Sequence, residues 1–94
     1  MTKPTAPTLN LNGTSGSSLM REYSAAADAL RTALDALKDM TVNGRDHQTA
    51  DDGSYRAARS EHVSRIRDVT RVLDEILTLA LDVDQQMRNR GPRS

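Results

Sequence analysis

Residues 62–87, HVSRIRDVTRVLDEILTLALDVDQQM, decide the fold. His62, Ile66, Val69, Leu73, Ile76, Ala80, Val83 and Met87 recur at steps of four and three. That spacing keeps an apolar seam on one side of an α-helix and cannot line one face of a strand. The pattern extends backwards through Tyr55 and Arg59, and Gly91-Pro92 stops it, so a helix is predicted over about 53–89. Val63, Val72, Leu77, Leu79 and Leu81 fall off the seam. A helix apolar on more than one face has more than one neighbour.

Upstream, Leu19, Tyr23, Ala26, Leu30, Ala33, Leu37 and Met40 repeat the same steps, with Ala27 and Leu34 widening the stripe. This predicts a first helix over about 17–42, capped by Thr14, Ser17 or Ser18 and ended at Asn43-Gly44. Residues 43–52 lack periodicity and read as a loop, with Asp51 or Asp52 capping the second helix. Residues 1–13 carry Pro4, Pro7 and alternating Leu9 and Leu11, and read as an extended arm; residues 91–94 are a tail. The expected fold is all-α: an antiparallel two-helix hairpin over 14–90 with an extended N-terminal arm, packing into a helical-bundle oligomer.

Composition supports the oligomer. The chain has 94 residues, 36% hydrophobic, and eleven of the apolar residues are alanine, while Phe, Trp and Cys are absent. Little area is available to a monomeric core, and no disulfide supplements it. Aligning the helix ends across the loop makes the second helix overhang at its C-terminal end, where Leu79, Ala80, Val83 and Met87 would be an interface between copies. Charge divides along the same helix. Residues 53–71 hold five Arg against Glu61 and Asp68, and residues 72–87 hold Asp74, Glu75, Asp82 and Asp84 with no base. An antiparallel self-pairing would set basic against acidic halves.

The net charge of +0 argues against general nucleic-acid binding. The longest apolar run is far short of the ~20 residues of a membrane span. No apolar segment opens the chain as a secretory signal would, so a cytoplasmic location is expected. No phosphate loop, nucleophile elbow or metal-ligand spacing is present, so no enzyme, metal or cofactor is expected. The one polar cluster joins Arg45 of the loop to Tyr55, Arg56, Arg59 and His62. Arginine forks, a stacking ring and a positive helix end suit a small anionic ligand such as a nucleotide. The alternative is that Tyr55 and His62 pack the end of the hairpin while Arg45 staples the loop.

The segment NGRDHQTADDGSYRAARSEH, residues 43–62, resembles a loop-plus-helix pattern in small proteins of tailed bacteriophages and prophages. Gly44, Arg45, Asp46, Gly53, Tyr55, Ala58, Arg59, Glu61 and His62 carry the resemblance, and weaker likeness covers residues 14–85. His47 and Gln48 stand where those proteins have tyrosines, so no aromatic stack is expected in this loop. The resemblance implies a phage accessory protein and transfers no activity. Three functions follow as expectations: sequestration of an anionic signal against host defence, assembly through helix packing, or inhibition of a host protein.

Overall fold

The computed structural model describes residues 3–9, 15–40 and 52–90, the side chains of 52 and 90 excepted. The predicted loop with Arg45, the Asn43-Gly44 stop, Leu11 and the Gly91-Pro92 stop lie outside the described residues. Among those described there are two helices and no strand: α1, Gly16–Asp39, and α2, Asp52–Arg90.

The N-cap of α1 is Ser15, one residue after the expected candidate Thr14 and two before Ser17. Its Oγ accepts the Ser18 N–H at 3.1 Å, and its carbonyl accepts the Leu19 N–H at 3.0 Å. The helix closes three residues earlier than its apolar pattern does. Met40 is extended, its N–H reaches only the Leu37 carbonyl at 3.2 Å, and its side chain is 56% exposed.

The helices pack antiparallel. His62 meets Leu37 near one end, and Gly16 abuts Met87 at the other. Every seam residue of α2 from His62 to Met87 is buried or half-buried, as its spacing predicts. The buried core joins Ala27 and Leu34 of α1 to Leu73, with Leu30, Ile66, Val69, Ile76 and Leu77 packed around them.

Two details depart from the sequence reading. First, α1 faces α2 with Gly16, Met20, Tyr23, Ala27, Leu30, Leu34 and Leu37, while Ala33 is exposed. This is a second unbroken four-three register that shares Tyr23, Leu30 and Leu37 with the expected one. It buries Leu34 instead of Ala33, and the larger side chain removes more apolar area from water.

Second, α2, with 39 residues against 24 in α1, overhangs at both ends and not at its C-terminal end alone. With Leu37 level with His62, α2 runs past α1 by about eight residues or ~12 Å at its N-terminal end and by about seven at its C-terminal end. Pro7 and Leu9 lie against the C-terminal end, where Met87 abuts Gly16. Leu9 is 7% exposed and Val83 0%. The reason is connector length: the twelve residues between the helices impose no register, so side-chain packing sets it.

Gln86 fastens residues 3–9. Its Oε1 accepts the Leu9 N–H at 2.9 Å, and its Nε2 donates to the Pro7 carbonyl at 2.7 Å and to Asp82 Oδ1 at 2.8 Å. Gly16 leaves room for this junction, since a Cβ there would stand 2.8 Å from Met87 Sδ and 3.2 Å from Leu9 Cδ1. Leu79, Ala80 and Met87 are half-buried within the chain.

The molecule is elongated, 67 × 24 × 18 Å, with a radius of gyration of 19.5 Å. A compact domain of this length has about 12 Å. Its accessible surface is 7173 Å², against about 5,400 Å² for a compact monomer of this mass.

Candidate functional site

Arg56, Arg59, Ser60, Val63, Ser64 and Arg67 line an open groove of about 430 Å³ on the outer face of α2. Their spacing of three and four places them on one side of the helix. All six are exposed, Val63 by 46%. The groove begins in the part of α2 that extends past α1.

The electrostatics set these arginines apart. Arg65 pairs with Glu61 at 3.7 Å, Arg71 with Glu75 at 3.0 Å, and Arg88 with Asp84 at 2.9 Å. Arg56, Arg59 and Arg67 have no ion-pair partner among the described residues. Arg56 and Arg59 also stand in the first two turns of α2, where the helix end is already positive. Three unneutralised guanidinium forks and two hydroxyls suit an oxyanion.

The structure brings together only part of the expected cluster. Arg56 and Arg59 share the groove. Tyr55 is half-buried and lies in line with the seam, away from the groove. His62 is 8% exposed, and its Nε2–H donates to the Leu37 carbonyl at 2.7 Å. The same carbonyl receives the Met40 N–H, so His62 caps the last turn of α1 from across the interface. Its Nδ1 is buried without a partner. Because a carbonyl can only accept, Nε2 carries the proton of this hydrogen bond.

Sequence reasoning passed over Ser60, Val63, Ser64 and Arg67. The signal was available: they continue from Arg56 and Arg59 by helical steps of three and four. Among the described residues no histidine or carboxylate lines the groove with the two serines. Among the described residues no three His, Asp or Glu side chains gather as metal ligands. No helix among them is long and apolar enough to cross a membrane. Comparison with protein-family models, curated proteins and solved structures finds no match.

Proposed function

We propose that this chain is a non-enzymatic binding protein whose working surface is the α2 groove. Its ligand class is a small phosphate-bearing molecule such as a nucleotide. The observation that carries this reading is the set of three arginines without ion-pair partners around one groove with two serine hydroxyls. Arg59 and Arg67 would grip phosphate oxygens as planar forks, and Ser60 and Ser64 would donate from between them. With a phage origin, such a protein would sequester a signal in the host cytoplasm as an accessory factor. His62 and Tyr55 have no part in the site as now proposed.

Assembly through helix packing is the second reading, favoured by the accessible surface in excess of a compact monomer's.

The test is titration calorimetry and thermal shift with inorganic pyrophosphate and a cyclic dinucleotide. At a ligand concentration tenfold above Kd, binding stabilises the fold by about 1.4 kcal/mol. Arg59→Ala should abolish that shift while leaving the ligand-free melting temperature equal or slightly higher, because a cation near the positive end of α2 is removed. If Arg59→Ala unfolds the protein, or neither ligand shifts the wild type, the reading fails.

A further inference from the structure

The stripe that holds the groove continues past it. Eighteen residues make five helical turns, so Leu81 lies in line with Val63, and Asp74 with Arg56. Leu81 is 70% exposed. The carboxylate of Asp74 has no ion-pair partner among the described residues. Around α2, the seam against α1, the Gln86 side that carries residues 3–9, and this stripe are spaced about a third of a turn apart. The first is covered by α1, the second is covered by Pro7 and Leu9 at its C-terminal part only, and the stripe is open.

We infer that the stripe docks a second copy of this chain, α2 against α2 and antiparallel, with the two-fold axis beside Thr70 and Arg71. Shape is the first ground. Residues 56, 59, 60 and 63, and then 60, 63, 64 and 67, are successive sets at i, i+3, i+4 and i+7. Such a set is the four-residue hole that receives one side chain of a facing helix. In this register the partner's Leu81 enters the first hole.

Charge is the second ground. The same register sets Arg67 opposite the partner's Asp74, and symmetry makes that contact twice. Near the axis Arg71 is already held by Glu75 at 3.0 Å, so no unpaired cations face each other there.

Area is the third. Contact over residues 56–85 runs for ~45 Å. The chain's 7173 Å² exceeds the compact expectation by about 1,800 Å², more than twice the roughly 800 Å² per partner that a stable dimer buries.

This pairing does not rest on the anion reading. Both call on the same arginines, so a second copy and an anion compete for them. Sedimentation velocity of the full chain from 1 to 100 µM tests the pairing. A concentration-dependent dimer is expected. Arg67→Asp and Asp74→Arg should each weaken it about tenfold or more, and the two together should return it to within about threefold of wild type. Leu81→Lys should give a monomer with unchanged helicity by circular dichroism, since that side chain contributes little to the monomer's own core.

A wild type that stays monomeric at 100 µM, single reversals without effect, or a double reversal without recovery would each overturn the pairing. Pyrophosphate calorimetry separates the two readings. A monomeric wild type that binds pyrophosphate loses the pairing and keeps the anion site. A dimer rescued by charge reversal that ignores pyrophosphate does the opposite.

Discussion

Leu34→Ala tests the orientation of α1, because two readings of that helix differ only in which neighbour points inward. Both use Tyr23, Leu30 and Leu37. One adds Ala26 and Ala33, the other Ala27 and Leu34. In the structure Leu34 is 7% exposed and packs with Ala27 and Leu73. Truncation to alanine removes three buried carbons. At ~0.8 kcal/mol each this costs about 2.4 kcal/mol. The cavity left behind raises the loss to about 2.5–4 kcal/mol. Ala33→Lys is the matched control. Position 33 is exposed, and lysine is nearly as good a helix former as alanine, so the cost should stay under ~0.5 kcal/mol. In a chain of this size each kcal/mol moves the melting temperature by ~4–8 °C. Leu34→Ala should therefore lower it by about 10 °C or more, and Ala33→Lys by no more than a few degrees. The melts are followed by circular dichroism at 222 nm at one protein concentration, because association makes the midpoint concentration-dependent. A loss at Ala33→Lys equal to that at Leu34→Ala would refute this packing and restore the Ala26–Ala33 seam.

The remaining predictions follow from named hydrogen bonds. Gln86→Ala removes the fastening of residues 3–9, and should cost about 1–3 kcal/mol and speed hydrogen exchange at the Leu9 amide; unchanged protection of that amide would count against the contact. His62→Ala removes a donor from the Leu37 carbonyl and opens a cavity, for a loss of about 1–3 kcal/mol in urea titration, whereas an unchanged midpoint would return His62 to the surface.

The two helices differ in how much of their packing could be read. In α2 every step of the seam from Ile66 to Met87 is an apolar residue, and Arg or Asp stands at many of the positions between. The face against α1 was therefore legible. In α1 the choice lay between Ala26 and Ala27 and between Ala33 and Leu34. Alanine gives little hydrophobic contrast, so periodicity alone left two phases open.

The relative register of the helices was not legible, because the connector is too long to fix it. Placing the whole overhang at the C-terminal end followed directly from aligning helix ends across that connector. The hydrogen bond of His62 depends on register too. Its place on the seam follows from its spacing to Ile66, but its bond to the Leu37 carbonyl depends on which turn of α1 stands opposite. The role of Gln86 needed the path of residues 7–9, which no local pattern encodes. At the candidate site Arg56 and Arg59 were legible from charge at the start of a helix. Arg67, Ser60 and Ser64 lay one and two turns further along the same line.

The isolation of the stripe charges is written in the chain itself. Arg65, Arg71 and Arg88 each find an acid four residues away. For Arg59 the positions three and four residues distant are Tyr55, Arg56, His62 and Val63, and for Arg67 they are Val63, Ser64, Thr70 and Arg71. Neither arginine can be neutralised along its own helix, whatever rotamer it takes. Across the hairpin, α1 lies about a third of a turn away. Among the described residues neither has an ion-pair partner. Asp74 bears on which partner suits them. It follows Arg67 by seven residues on the same line, about 10 Å further along the helix. A carboxylate there repels a phosphate seated in the groove. In an antiparallel second copy the same carboxylate meets the partner's Arg67, and the repulsion becomes attraction. The acid on the stripe, with Leu81 exposed beside it, is the feature that self-pairing explains and an anion site alone does not.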